Sequence, residues 1–210
     1  MVSGLGNQMF QYAAARALAE RHGVEVVIDR RALPDAGDRA YALRPFRITG
    51  REGRPEELPP RRRDTSLAAY IRWHLDPRSP RLFRERPRRW PWQVQRYGWD
   101  PRFERLGGHV CLIGYFQSER FFKAIEPIIR RDFTLKAPPP APVARILEDM
   151  ARDCAVSLHV RRGDYVRNPV FNRVHGTVGP DYYLRALELI AERAGIDPVV
   201  YAFSDDPAWV

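Results

Sequence analysis

The sequence predicts an α/β protein organised on parallel sheets, and three observations carry that reading. A glycine turn, Gly4-Leu5-Gly6, runs into a helical stripe and then into the apolar run Val24 to Asp29. Further on, the apolar runs 155–160 and 198–203 flank a second helical pattern, the strand–helix–strand order that returns parallel through a right-handed crossover. Between these regions, residues 137–142 hold four prolines, at 138, 139, 140 and 142, a stiff extended connector. That connector divides the chain into an N-terminal α/β domain (1–136) and a C-terminal domain (143–210).

The 210 residues, 44% of them hydrophobic, suffice to bury a core and fall outside the disordered class. No apolar run approaches the ~20 residues that span a bilayer, and no basic-then-apolar leader opens the chain. The expectation is a soluble protein, any membrane association being peripheral. A net charge of +9 points to anionic partners: nucleic acid, anionic membrane or phosphorylated small molecules. Only Lys123 and Lys136 are lysines, an arginine bias that a GC-rich genome also produces, so the charge alone selects none of them. Cys111 and Cys154 lie in strand-like apolar runs and read as buried reduced thiols. No Cys/His spacing matches a zinc site.

In chain order, Phe10, Ala13, Ala14, Ala17 and Leu18 share one helical face, with Asn7 as N-cap and Gly23 as C-terminal cap. A glycine turn entering a helix is either a seat for an anion or polar ligand or a tight turn between packed elements. The full Gly-x-Gly-x-x-Gly fingerprint is absent, because Met9 stands at its last position. Polar groups in Asn7-Gln8-x-x-Gln11-Tyr12 cluster on the first turns of an otherwise apolar helix.

Residues 50–108 are rich in Arg and Pro, with Trp73, Trp90, Trp92 and Trp99 interspersed. Arg61, Arg62, Arg63, Arg84, Arg86, Arg88 and Arg89 can track a phosphate backbone with tryptophans as stacking platforms. The competing reading is an irregular, partly helical insertion with a solvated basic surface, and no nucleic-acid motif accompanies it. Val110 to Phe116 reads as a buried strand, followed by a helix that Pro127 ends, kinks or restarts. Past the connector come a helix at about 143–151, a strand to Val160, and a helix capped by Asp181 and ended by Gly195. The last strand closes on Ser204-Asp205-Asp206.

The first strand of that pair delivers His159-Val160-Arg161-Arg162-Gly163-Asp164 into a loop. Arginine offers phosphate a planar, permanently charged donor fork, and ligands of open α/β sheets sit beyond the carboxyl ends of the strands. In a parallel unit Arg161, Arg162, Asp205 and Asp206 open on one edge and line one crevice. The alternative is a solvated strand-end turn.

Four stretches together resemble the α-1,2-fucosyltransferases, glycosyltransferase family 11. They are Gly4-Leu5-Gly6-Asn7-Gln8-Met9-Phe10-Gln11-Tyr12-Ala13, then Gly114-Tyr115-Phe116-Gln117 with Phe133-Thr134-Leu135 downstream, then His159 to Tyr165, and Phe203-Ser204-Asp205-Asp206. The resemblance implies a GT-B architecture of two Rossmann-like domains. It also implies GDP-β-L-fucose as donor, a terminal galactose 2-hydroxyl as acceptor, inversion at the sugar, and neither an essential metal nor a cofactor. On that pattern Arg162, with Arg161 nearby, holds the pyrophosphate and His159 helps position the nucleotide. Arg161 can instead be an outward salt-bridged residue, and His159 can simply pack at a strand end. An aspartate of Asp205-Asp206 accepts hydrogen bonds from guanine, although such a pair also looks like the metal-binding aspartates of other glycosyltransferases. Gly6, Asn7 and Gln8 stand near the sugar or acceptor. Asp164 is a catalytic candidate by type, as base or as an orienter of the arginines. A bacterial relative of this kind is expected in the cytoplasm, peripheral to the inner face of the membrane, in polysaccharide or O-antigen assembly.

Two departures qualify that picture. Met1 to Ser3 are short for the strand that the family places ahead of the glycine turn, and the chain stops at Trp209-Val210, before the family's Asn-Ser-x-Phe-Ser-Trp motif. The second domain is therefore expected to be incomplete, with an unpaired apolar edge. Two other functions stay open: a non-catalytic remnant or GDP-binding module, and an Arg-rich nucleic-acid-binding protein.

Overall fold

The computed structural model describes residues 1–37, 39–61, 65–85, 88–89, 95–96, 98–169, 172–173 and 176–210, with backbone only at 88, 89, 95, 96 and 164. It is a mixed α/β structure, and it divides into two units, Met1–Ala137 and Pro138–Val210.

The first unit is assembled around helix α1 (Leu5–His22). Ser3 takes a φ of 71°, which turns the chain just ahead of Gly4. The helix therefore starts earlier than the sequence suggests: Gly4 is the N-cap, and Asn7 lies inside the first turn with its Nδ2 donating back to Ser3 Oγ at 2.9 Å. At the other end Gly23 takes the left-handed conformation expected of it, φ 62°. Strips of small residues on α1 let its neighbours close in on two sides. Tyr12, Ala13 and Ala19 pack with Val26, Ile28, Leu43 and Ile129. Ala14 and Leu18 pack with Phe83, Phe103, Phe116 and Phe121. Ring centroids in the second cluster lie 5.0–6.4 Å apart, mostly tilted or edge-on, each pair adding about 0.5–1.5 kcal/mol beyond area burial.

Strands β1 (Val27–Ile28) and β2 (Arg51–Glu52) pair in parallel. So do β3 (Arg81–Arg84) and β6 (Val110–Ile113), in register from Arg81↔Val110 to Arg84↔Ile113. Between them, β4 (Arg88–Arg89) and β5 (Gln95–Arg96) form an antiparallel pair. The region at about 50–108, read from the sequence as an irregular, partly helical insertion, thus also contains short strands. Beside these strands the region holds α2 (Leu67–Leu75), and Phe83 and Phe103 enter the core while the flanking arginines of β3 stay exposed. Trp99 is packed rather than free for stacking, 5.0 Å from Phe121 with Arg120 over its ring at 5.3 Å. Arg62, Arg63, Arg86, Trp90 and Trp92, and the side chains of Arg88 and Arg89, lie outside the described residues. After β6, two short 3-10 turns lead into α3 (Glu126–Asp132), with Pro127 in its first turn as a helix starter.

The second unit begins with α4 (Ala141–Arg152), which starts inside the expected connector because Pro142 suits a first helical turn. Strands β7 (Ala155–Val160) and β8 (Val199–Ser204) pair in parallel over their full lengths, Ala155↔Val199 to Val160↔Ser204. Between them run α5 (Gly163–Arg167) and α6 (Pro180–Ala194). Gly179, not Asp181, is the N-cap of α6, and Asp181 sits in the first turn; Gly195 closes the helix at φ 67°. The expected burial of these strands is not met. Val199, Val200 and Phe203 are exposed and only Val160 is fully enclosed, because the two strands pair with each other and the described helices leave much of their faces open. Cys154 is likewise exposed and Cys111 half-buried, both as free thiols. Among the described residues no helix is long and apolar enough to cross a membrane.

One buried polar knot ties the first unit together. Tyr12 Oη donates to Asp132 Oδ2 at 2.7 Å and accepts from the Thr49 amide at 3.0 Å, while Arg16 Nε reaches the same carboxylate oxygen at 3.2 Å. Burial, reinforced by the Asp132 hydrogen bond, pushes the Tyr12 hydroxyl from 10.0 up to about 12. A raised folded pKa stabilises the protonated form, so this contribution is whole below pH 10 and is lost as pH rises through about 12. Tyr12→Phe is expected to lower unfolding free energy by about 1–3 kcal/mol in urea titrations, and to abolish the Tyr12 share of the alkaline loss of stability.

Candidate active site

Beyond the ends of β7 and β8 the chain brings together four of the predicted residues. Asp205 Oδ1 accepts from the backbone amides of Arg162 at 2.8 Å and Gly163 at 3.1 Å. Its Oδ2 pairs with Arg161 Nη1 at 3.0 Å. Asp206 Oδ2 takes Arg162 Nε at 3.1 Å, and the Asp206 amide donates to Ser204 Oγ at 2.9 Å. The parallel register explains the meeting, because Val160 and Ser204 are partners and each strand's next residues enter the same corner.

Gly163 leaves room for this carboxylate. A Cβ at that position would meet Asp205 Oδ2 at 2.6 Å and its Cγ at 3.1 Å, so a larger residue would push the carboxylate off the turn. The Arg162 amide, followed by the Gly163 amide and the Arg161 charge, outweighs desolvation and holds the Asp205 carboxyl below its ordinary range.

The two arginines are treated differently. Arg161 lies over the Tyr165 ring at 5.6 Å, with 46% of its side chain exposed. Arg162 is only 22% exposed, and its guanidinium lies over the Trp209 indole at 4.3 Å. With Nε on Asp206, its two Nη groups donate to nothing among the described residues. The arrangement can therefore accept an anion along one guanidinium edge. His159 is exposed on β7 opposite Phe203. The side chain of Asp164 lies outside the described residues.

The candidates of the first unit divide. Gly6 is exposed, with open space where a Cβ would stand. Gln8 is wholly buried: its Nε2 donates to the carbonyls of Ser3 (2.8 Å) and Ala40 (2.9 Å), and its Oε1 accepts from the Ala42 amide (3.0 Å). Its amide thus fastens the loop at 40–42, and any influence on a ligand passes through that loop. Asn7 is half-buried and accepts from Gln117 Nε2 at 2.6 Å, joining two of the motifs noted in the sequence.

Behind Gln117, Phe116 takes a φ of 54° with its ring in the core. The buried Glu85 holds that turn, Oε2 accepting from the amides of Tyr115 (2.7 Å) and Phe116 (2.9 Å). Gly114 admits Glu85, since a Cβ there would meet the Glu85 Cβ at 2.5 Å. Sequence reasoning gave no role to Gln117, Glu85 or Trp209. The usable signal was a lone glutamate in an arginine-rich run, and a tryptophan three residues beyond the second aspartate.

Asp205→Ala is expected to leave the Arg162 and Gly163 amides without their acceptor and to speed their hydrogen exchange at least about tenfold, a hydrogen bond to a charged group being worth about 1.5–3 kcal/mol. In the unaltered protein that protection persists above pH 3.8 and is lost as pH falls through the depressed pKa of Asp205.

Comparison with known proteins gives the chain a set of relatives. Residues 109–210 match the model of glycosyl transferase family 11. An O-antigen biosynthesis glycosyltransferase of Escherichia coli, WbnK, is 28% identical over 243 positions, covering 98% of this chain and 71% of that protein. An alpha-1,2-colitosyltransferase of Escherichia coli is 35% identical over 108 positions, 50% of this chain and 35% of its own length. A galactoside 2-alpha-L-fucosyltransferase of Mus musculus, Sec1, is 31% identical over 215 positions, 98% of this chain and 48% of that protein. The chain thus spans only part of each of these relatives. No solved structure matches it significantly. Residues 109–210, just under half of the chain, thus match glycosyltransferase family 11, and the similarity to the O-antigen glycosyltransferase and the fucosyltransferase extends over 98% of the chain.

Proposed function

We propose that the protein is an α-1,2-fucosyltransferase of GT-B architecture, moving L-fucose from GDP-β-L-fucose to the 2-hydroxyl of a terminal galactose with inversion. The observation that carries this reading is Arg162, fixed at Nε by Asp206 and on one face by Trp209, with its Nη edge open at the carboxyl ends of two parallel strands. In the reaction the acceptor oxygen bonds to the fucose C1 as the C1–O bond to the β-phosphate breaks. The electron pair of that bond departs with GDP, and the acceptor proton leaves to a base. A fixed cation edge meets the negative charge growing on the diphosphate, the place where preorganised electrostatics contributes most.

In this reading Arg162 binds the diphosphate, Arg161 braces Asp205, and Asp206 Oδ1 is left to accept from guanine N1 and N2. His159 flanks the nucleotide, and Asp164 serves as base or orienter. The resemblance assigns Asn7, held by Gln117, to the sugar or acceptor, with Gly6 and Gln8 shaping its backbone. Asp205 already answers to Arg161 and two backbone amides, and Asp206 to Arg162, which supports a metal-independent, cofactor-free transfer. The similarity to fucosyl- and O-antigen transferases supports a galactose-terminated glycan as acceptor, with O-antigen assembly at the inner face of a bacterial membrane as the setting. The similarity to a colitosyltransferase makes the sugar carried by the donor the open specificity question, and a colitosyl donor is the second substrate to assay.

Titration with GDP, ADP and an unrelated oligonucleotide separates the functions. The account expects GDP to bind in preference to ADP, and Arg162→Ala to weaken GDP by about tenfold or more, following about 1.5–3 kcal/mol for a charge-assisted hydrogen bond. An oligonucleotide preference falling steeply with salt would instead mark a nucleic-acid-binding protein. Turnover of GDP-fucose onto lactose in EDTA is the expected result for an enzyme. GDP binding without turnover marks a binding remnant, and activity restored only by manganese contradicts the metal-free reading.

A further inference from the structure

We propose that Trp209 is the positioning residue of this site, the side chain that makes Arg162 a preorganised seat for a diphosphate. The inference rests on the function proposed above and deepens it, making the contact of Trp209 with Arg162 a determinant of diphosphate affinity. Asp206 and Trp209 are the ends of one tight turn, the Trp209 amide donating to the Asp206 carbonyl at 3.1 Å. A single four-residue segment therefore supplies both restraints on Arg162: the Asp206 carboxylate on Nε at 3.1 Å and the indole ring, whose centre lies 4.3 Å from the guanidinium carbon. The indole is itself set by Tyr183 of α6, whose ring meets it edge-on at 6.2 Å and 69°.

Three consequences follow from the chemistry of the guanidinium group. An arginine side chain ordinarily loses up to about 2 kcal/mol of rotamer freedom when it is fixed. Here the indole and Asp206 impose that loss before any ligand arrives, which is the condition for preorganised binding. With Nε engaged and one face covered, the donors that remain point in the guanidinium plane along the Nη edge, where two phosphate oxygens can be met side by side. The indole also occupies space against the guanidinium that a nucleobase would need for stacking, so Arg162 reads phosphate and leaves the base to other groups.

The test compares unaltered protein with Trp209→Leu and Trp209→Phe, using GDP, inorganic pyrophosphate and guanosine as probes. It is joined by the NMR shift of the Arg162 Nε–H, which senses the indole ring current without any ligand. In Trp209→Leu the ring-current shift is expected to vanish, and GDP and pyrophosphate to bind about five- to thirtyfold more weakly, the range of a partly desolvated cation–π contact. Guanosine binding should stay unchanged, and Trp209→Phe should recover GDP binding to within about threefold. The proposal is overturned if Trp209→Leu keeps the Arg162 shift and the GDP affinity. It is equally overturned if guanosine affinity falls in step with GDP, since Trp209 would then merely support the unit. Pyrophosphate binding that depends on Trp209, without any preference for guanine, upholds the seat and removes only the GDP-sugar reading. An unaltered protein that holds neither GDP nor pyrophosphate removes both.

Discussion

The placement of the Asp205 carboxylate against Gly163 is the constraint on which the candidate site depends. One oxygen gathers two successive backbone amides and the other gathers Arg161, so the turn leaving β7 has a single well-defined course. Arg162 is the residue whose direction that course decides. Its Nε then finds Asp206 and its face finds Trp209, both from the segment that leaves β8. Parallel pairing of β7 with β8 is what brings these two segments to one corner, and the glycine is what lets them touch.

The first unit applies the same device to a different end. Glu85 gathers the amides of Tyr115 and Phe116 as Asp205 gathers those of Arg162 and Gly163, and each carboxylate lies where a glycine leaves room for it. There the product is the left-handed Phe116 and the Gln117–Asn7 hydrogen bond at 2.6 Å. Helix α1 carries Asn7 at its start and the Tyr12–Asp132 knot farther along, so the helix that packs both aromatic and aliphatic clusters also positions the polar motif. An anion that accepts amides from a turn fixes backbone and side chain together, because the amide directions are set by φ and ψ.

Much of this is legible in the sequence. The parallel unit, the meeting of Arg161-Arg162 with Asp205-Asp206, and the glycines that end α1 and α6 all follow from local pattern. They depend on chain order and backbone conformation, which a sequence displays. What stayed hidden depends on contacts across the fold. Glu85 sits in an arginine-rich stretch that reads as solvated surface, and its burial shows only once β3 is paired with β6. The burial of Gln8 rests on hydrogen bonds to Ser3 and to the loop at 40–42, which cannot be read from one helix. That both oxygens of Asp205 serve the chain's own turn is likewise set by contacts between two strand ends. Trp209 belongs to a short turn without periodicity, and its role appears only with Arg162 beneath it.

The central claim is that Arg162 presents its Nη edge to a diphosphate. A crystal structure of the protein with GDP tests it directly. The account predicts phosphate oxygens on Arg162 Nη1 and Nη2, with Nε still on Asp206 and the indole of Trp209 still across one face. A diphosphate bound away from Arg162, or held by a cation lodged between Asp205 and Asp206, would contradict it.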